Sequence, residues 1–136
     1  MLLRSTSNST ERGRRLWATE SSDDGSTWSP PVETDFTDNN TKFHLGRLPD
    51  GRWYHVGSPD LTGRRCPLVL SLSSDGVVFD QAYILADKEY ERRIDGLHKG
   101  GVYGYPHTMV HDGYLFVIVS ICKEDVMALR VPYATL

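Results

Sequence analysis

The sequence predicts an all-β fold, a partial β-propeller of about two and a half blades, each blade being a four-stranded antiparallel sheet. Three observations predict it. A Ser/Asp/Gly/Trp turn motif occurs early in the chain, a weaker copy follows about 50 residues later, and apolar and polar residues alternate on either side of short turns. Repetition at that spacing is typical of stacked blades.

The first motif is the segment Ser21–Trp28, SSDDGSTW, which fits the Asp-box pattern S-x-D-x-G-x-T-W. Ser21 and Asp23 are expected to hydrogen-bond onto the turn, and Gly25 to take a positive φ. Trp28 is expected to fold beneath the blade as an apolar plug. Asp-boxes join the two outer strands of a blade, so the motif indicates the fold and not the activity.

The second copy is SSDGVVF, residues 73–79, with Phe79 in the place of the tryptophan. Either copy alone would be explained by an Asp-Gly hairpin between two strands. Two copies one blade period apart favour the propeller.

Alternation along the chain predicts three units. Residues 1–36 end one blade and carry the first motif, residues 40–86 form a complete blade with the second, and residues 104–136 form a last blade without its outer strand. The charged segment between the last two units, 86–97, is predicted to be a short helix or a loop. The predicted strands are 16–20, 31–34, 41–48, 52–57, 67–73, 81–85, 106–111, 114–120 and 125–131.

The number of blades raises the question of how the array is completed. A closed propeller needs about 4–8 blades, and each blade buries its faces only against neighbours. The sequence therefore predicts either part of a longer protein or copies that self-associate through open blade edges.

Composition excludes several classes of function. A net charge of −3 argues against nucleic acid as a partner, and the longest apolar run, 114–121, is too short to cross a membrane. No secretory signal opens the chain, which predicts a cytoplasmic protein if the start is complete and an exported one if it is not. Cys66 and Cys122 lack metal-site spacing and are expected to be free thiols, a disulfide being the alternative. No cofactor or metal is predicted.

From Leu16 onward the chain resembles the later half of the six-bladed propeller of the sialidase superfamily, the BNR or Asp-box glycosidases. Its segment 61–76, LTGRRCPLVLSLSSDG, resembles the family strand R-x-x-L…S-x-D-x-G. In the family that arginine belongs to a triad that grips the substrate carboxylate. The resemblance places Arg65 in this role, which suits the planar guanidinium fork.

A second segment, YPHTMVHDGYL from Tyr105, resembles the family strand Y-S-x-L-x-x-x-x-D-G, whose tyrosine is the catalytic nucleophile. The resemblance gives that role to Tyr105; the alternative is a ring packed at the central channel. His107 follows by two and is expected on the same side of the strand, as a proton shuttle or sugar contact. Glu124 is a candidate acid/base in a nearby turn, its alternative being an exposed hairpin turn.

The chain departs from the family at two positions. The glutamate that partners the tyrosine falls near Thr41 or Lys42, and the second triad arginine falls near Ser58. Lys42 is therefore expected beside Tyr105 as a substrate-binding cation. The family's first arginine and acid/base aspartate belong to earlier blades.

Taken together, the resemblance implies a sialidase-like exo-glycosidase domain that hydrolyses a terminal acidic sugar from glycans. The alternative is a non-catalytic propeller that binds carbohydrate or protein. The expected partner is a glycan or a small sugar.

Overall fold

The computed structural model describes residues 1–4 and 14–136; positions 5–13 of the predicted unit 1–36 lie outside the described residues. The described residues form ten strands and one short 3₁₀ turn, Tyr133–Thr135. No helix among them is long and apolar enough to cross a membrane. The strands are β1 (Leu2–Leu3), β2 (Arg15–Ala18), β3 (Val32–Thr37), β4 (His44–Arg47), β5 (Trp53–Gly57), β6 (Leu68–Ser73), β7 (Gln81–Ala86), β8 (Tyr103–His111), β9 (Tyr114–Ile121) and β10 (Asp125–Pro132).

The strands pair into three antiparallel sheets, as in successive blades of a partial propeller. Their orders are β1-β2-β3, β4-β5-β6-β7 and β10-β9-β8. Every neighbour in a sheet is also a neighbour in sequence, which the antiparallel pairing of consecutive strands allows. The chain therefore meanders through one sheet before it enters the next, and β8 packs against β4 and β5.

The main hydrophobic core lies between the second and third sheets. All six residues of β6 are buried, which explains why its sequence LVLSLS is almost continuously apolar. Alternate residues of β9 point into the same core, whereas Ile118 on its other face is exposed. The fully buried apolar side chains of this core include Val56, Leu68, Leu70, Leu115, Val117 and Val119.

The first Asp-box turn is closed by its own polar side chains. The backbone N–H and hydroxyl of Thr27 donate to the Asp23 carboxylate at 2.9 and 2.6 Å, and the N–H of Gly25 donates to the Ser21 hydroxyl at 2.9 Å. Gly25 has φ +86°, as expected. Trp28 differs from the expectation: its indole N–H donates to the Gly25 carbonyl at 3.0 Å, and the ring lies across that glycine with 48% of its surface exposed. The indole therefore covers the turn and is not a buried plug.

The second turn uses the same chemistry and contributes an aromatic ring to the contact between the first two sheets. The N–H groups of Val77 and Val78 donate to the Asp75 carboxylate. Phe79 lies with its ring centroid 4.9 Å from that of Phe36 on β3. The buried imidazole of His55 packs against Phe36, Phe43 and Phe79.

A β-bulge interrupts β8 near its start. Gly104 is opposite Ser120 and His107 is opposite Ile118, so Tyr105 and Pro106 together face a single residue of β9, Val119. Pro106 is buried, whereas Tyr105 and His107 are exposed. The extra residue moves Tyr105 out of the row of side chains that points into the core.

The segment between β7 and β8, residues 87–102, contains no helix; a short helix or a loop was predicted over 86–97. It runs as a loop between β7 and β8, and side chains from both sheets hold it. The hydroxyl of Tyr103 donates to the Lys88 carbonyl at 2.8 Å. Charged residues dominate this loop, and long loops of this kind are commonly functional.

Candidate functional site

Tyr105 is exposed and held in an unfavourable backbone conformation. Its side chain has 47% of its surface exposed, and its φ is +56°. That left-handed region is disfavoured for a side chain with a Cβ, and Pro106 restricts the preceding residue further. The Tyr105 hydroxyl forms no hydrogen bond with any other described residue. Residues kept in such conformations are concentrated at functional sites.

Two lysines lie against the Tyr105 ring. The Nζ atom of Lys42 is 5.4 Å from the ring centroid, and that of Lys123 is 5.3 Å from it. Both distances are within the range of cation–π attraction. Lys42 was expected beside Tyr105, and the fold brings it there from the segment before β4. Lys123 comes from the opposite direction, in the turn between β9 and β10.

Arg65 approaches from the loop before β6. Its Cγ and Cδ pass so close to Gly101 that a Cβ there would lie 2.6 Å from each. Its Nη1 reaches Gly104, the residue before Tyr105, where a Cβ would lie 3.4 Å away. The fold thus places the Arg65 guanidinium beside the residue that precedes Tyr105, and the absence of side chains at Gly101 and Gly104 leaves room for Arg65.

The loop that carries Arg65 is organised by Asp60. The Asp60 carboxylate accepts the Arg65 N–H at 3.1 Å and the Thr62 N–H and hydroxyl at 3.0 and 2.7 Å. Partial burial opposes ionisation of this carboxyl, but the hydrogen bonds from Thr62 and Arg65 outweigh it and lower the pKa of Asp60. An ionised Asp60 holds Arg65 in its left-handed conformation, φ +57°.

The cations Lys42, Arg65 and Lys123 have no carboxylate partner within residues 1–4 and 14–136. Neither Lys42 nor Arg65 forms an ion pair or a side-chain hydrogen bond there, and Lys123 donates only to the carbonyl of His98. Two unpaired lysines over the exposed ring and an unpaired arginine beside the preceding residue create a positive potential that attracts an anionic group. The arrangement can bind a carboxylate next to an aromatic surface.

His107 belongs to a neighbouring polar contact between β8 and β4. Its ring centroid is 4.5 Å from that of His44, whose Nδ1 accepts the Thr108 N–H at 2.9 Å. Burial, and then the nearby charge of His107, lower the pKa of His44 below its ordinary value. Because Nδ1 accepts this hydrogen bond, it carries no proton, which agrees with a neutral His44. His107 is exposed on the same side of β8 as Tyr105 and can contact a ligand there.

Glu124 has many partners of its own. Its side chain is 3% exposed, and its carboxylate accepts the Ile94 N–H at 2.9 Å, the Arg93 N–H at 3.0 Å and the Lys99 ammonium at 3.0 Å. The backbone N–H of Arg93, then Lys99 and Ile94, lower the pKa of Glu124 to about 2. The group is therefore a fixed anion at neutral pH.

The two positions at which the chain departs from the resemblance lie together. Thr41 and Ser58 are both buried, and with Lys42 they line one small cavity between the first two sheets. Within the described part of the chain, no three His, Cys, Asp or Glu side chains are arranged to hold a metal ion. Cys66 and Cys122 are free thiols.

Backbone strain is concentrated around Tyr105. Among the described residues, eight other than glycine have a positive φ. Two of them, Asp24 and Asp112, lie in tight turns between strands. The remaining six belong to the site or flank it: Asn40, Arg65, His98, Tyr105, Cys122 and Lys123. Such clustering is typical of a site whose geometry is imposed by the surrounding fold.

Lys123 is the site residue that sequence reasoning missed. The run Lys123-Glu124-Asp125 reads as an exposed turn, and nothing local shows that the first residue reaches a tyrosine eighteen positions earlier. The Asp-box spacing and the tyrosine-strand resemblance could have placed the turn at the same end of the blade as Tyr105.

Comparison with known proteins supports the fold assignment. The BNR repeat-like domain family matches residues 1–117. No curated protein matches the chain, and no solved structure does. The family match covers most of the chain, and it agrees with the three antiparallel sheets and the two Asp-box turns. The predicted all-β propeller of the sialidase type is thereby confirmed, and the chain belongs to the BNR repeat-like domain family.

Proposed function

We propose that this BNR domain binds a terminal acidic sugar, such as sialic acid, and acts as a sialidase-like exo-glycosidase. One observation carries the proposal: Lys42 and Lys123 lie without carboxylate partners over an exposed, strained Tyr105, and the unpaired Arg65 guanidinium lies beside the preceding residue, Gly104. A sugar carboxylate would neutralise these cations, and its ring would lie over the tyrosine. Charge-assisted hydrogen bonds from Arg65 would supply orientation.

Each site residue then has a chemical role. The Tyr105 oxygen would attack the anomeric carbon as the bond from that carbon to the leaving glycan oxygen breaks, and the phenol proton would reach that oxygen through solvent. Water would afterwards hydrolyse the tyrosyl intermediate, which releases the acidic sugar and restores the phenol. The neighbouring lysines would attract the sugar carboxylate by their charge. His107 would exchange protons with solvent or contact sugar hydroxyls. Glu124, already bound by the loop, would act as a structural anion and not as the acid.

A second function, saturable sugar binding without hydrolysis, is favoured by a different observation. The Tyr105 hydroxyl has no hydrogen-bonded base among the described residues, and Lys42 stands near the position of the family glutamate. Without a group to accept the phenol proton, nucleophilic attack would be slow.

Two variants separate these functions. Release of 4-methylumbelliferone from its sialic acid glycoside reports hydrolysis, and calorimetric titration with sialic acid reports binding. We expect Arg65→Ala to abolish both signals and Tyr105→Phe to abolish release while binding is kept. If Arg65→Ala retains full activity and affinity, the carboxylate site is assigned wrongly. Binding without release in the unmodified protein supports the non-catalytic function.

A further inference from the structure

The turn between β9 and β10 is held in a strained conformation. Its two central residues, Cys122 and Lys123, have φ values of +52° and +56°, and the Glu124 N–H closes the turn onto the Ile121 carbonyl at 2.9 Å. Turns with two positive φ values favour Asn and Gly, because other side chains clash with the backbone. Neither Cys nor Lys relieves that clash, so contacts outside the turn must impose its shape.

Those contacts come from the loop before β8: the Cys122 N–H donates to the Val102 carbonyl at 2.7 Å, and the side-chain hydrogen bonds of the turn all reach one segment of that loop. The thiol of Cys122 donates to the Tyr90 carbonyl at 3.6 Å, and the ammonium of Lys123 donates to the His98 carbonyl. Glu124 binds the same segment through Arg93, Ile94 and Lys99, with the shortest contact at 2.9 Å. Three consecutive side chains of the turn therefore fix residues 90–99, named here the anchored segment.

Of the three contacts, that of Glu124 is the strongest by its chemistry. Its carboxylate accepts hydrogen bonds from the backbone N–H groups of two successive residues, Arg93 and Ile94, and from the Lys99 ammonium at 3.0 Å. Its side chain is 3% exposed, whereas the carboxylates of the other ion pairs among the described residues, those of Asp50, Glu89 and Asp125, are exposed. Charge-assisted hydrogen bonds of this kind are about twice as strong as neutral ones.

The anchored segment in turn decides where Lys123 points. The lysine Nζ donates to the His98 carbonyl and lies 5.3 Å from the centroid of the Tyr105 ring. His98 is next to Lys99, whose ammonium is bound by Glu124. If the anchored segment moved away, the His98 carbonyl would leave with it, and the flexible lysine side chain would no longer be held over the ring.

We infer that Glu124 is a positioning residue that fixes the anchored segment and thereby holds Lys123 over Tyr105 at the ligand-binding site. The inference rests on the proposed function for its consequence in binding, but its geometric part is independent of any ligand. It also replaces the acid/base role that the sequence suggested for Glu124. Electrostatics agrees with it, since a carboxyl with a strongly lowered pKa is unsuited to donate a proton at neutral pH.

The experiment uses two readouts on the same variants. Proton–carbon NMR of the Lys123 side chain reports whether its ε-methylene protons lie over the Tyr105 ring, because the ring current shifts them upfield. Titration with sialic acid reports binding. The variants are Glu124→Gln, Lys123→Met and the double variant, with Asp50→Asn as the matched control, since Asp50 holds Arg52 at 2.7 Å in another hairpin turn.

We expect Glu124→Gln to remove the upfield shift and to weaken binding about tenfold, as one lost charge-assisted contact would. The double variant should bind no more weakly than Lys123→Met, because both changes remove the same contact. Asp50→Asn should change neither readout. An unaltered Lys123 shift in Glu124→Gln, or additive losses in the double variant, would overturn the inference.

The experiment still decides the role of Glu124 if sialic acid does not bind or if the main variant does not fold. If the unmodified protein does not bind sialic acid, the proposed function fails, and the NMR shift alone decides the positioning role. If Glu124→Gln does not fold, Lys99→Met removes one partner of the carboxylate while leaving the backbone contacts. The upfield shift must then decrease, and an unchanged shift would again refute the role of Glu124.

Discussion

Replacing Gly101 by alanine tests whether Arg65 is placed by the glycine beneath it. A Cβ at position 101 would lie 2.6 Å from both Cγ and Cδ of Arg65 and 2.9 Å from the Arg64 carbonyl. Contacts this short do not persist, so the Arg65 side chain must move. The matched control is Gly113→Ala in the turn between β8 and β9. Its φ of +79° nearly equals the +78° of Gly101, and no atom lies within 4 Å of the added methyl.

The two alanines should cost similar backbone energy but differ in their effect on binding. A left-handed φ costs a residue with a side chain about 1–2 kcal/mol, and this applies to both positions. Only Gly101→Ala also displaces the guanidinium. If Arg65 contributes hydrogen bonds to a carboxylate worth about 1.5–3 kcal/mol, its displacement weakens binding by about 10- to 150-fold.

The assay pairs urea unfolding with calorimetric titration of sialic acid. Both variants should lose about 1–2 kcal/mol of unfolding free energy, and Gly101→Ala somewhat more because of the contact with the Arg64 carbonyl. Only Gly101→Ala should lose affinity. Equal dissociation constants for the two variants would refute the reasoning, since they would show that the guanidinium position does not matter for binding.

Three further predictions concern stability. Burial lowers the pKa of His55 to about 3, so between about pH 6.5 and 3 only the unfolded chain binds this proton. The unfolding free energy should therefore fall by about 1.4 kcal/mol per pH unit as the pH drops, and urea unfolding of His55→Phe at several pH values should show that much less slope. Thr108→Val leaves the buried Tyr54 hydroxyl without its 2.7 Å partner and should cost about 1–3 kcal/mol, most of which a second change, Tyr54→Phe, should restore in the same unfolding assay. Tyr105→Gly should raise the unfolding free energy by roughly 0.5–1 kcal/mol, because relief of the left-handed strain exceeds the entropy gained by the unfolded chain. The same variant should bind sialic acid more weakly. A loss of stability would mean that the ring contributes more to packing than its exposure indicates.

Most strands could be predicted because their signals are local. Alternating residues on either side of the Pro49-Asp50-Gly51 turn gave β4 and β5, and the apolar run of β6 marked a strand buried on both faces. The Asp-box turns followed from side chains that bond within their own segment. β1 was missed because two residues are too short for a periodic signal.

The candidate site was predictable only in part because it is built from distant segments. Resemblance brought Arg65, Lys42 and Tyr105 together, and the fold places all three in one region. The partners of Glu124 could not be foreseen, since they are backbone N–H groups of a loop about thirty positions earlier. Hydropathy patterns contain no information on backbone donors. The exposure of Trp28 was missed for a related reason, because the indole bonds to its own turn.

The exposure of Tyr105 depends on the one extra residue in the β-bulge of β8 and not on the chemistry of its side chain. In a regular strand the residue opposite Val119 points into the core, and here Pro106 takes that place. A deletion of one codon at this point would leave every remaining amino acid unchanged and yet turn the tyrosine inward. In relatives of this domain, the number of residues between the positions of Gly104 and His107 therefore matters as much as their identity. That number decides whether the tyrosine side chain is exposed or points into the core.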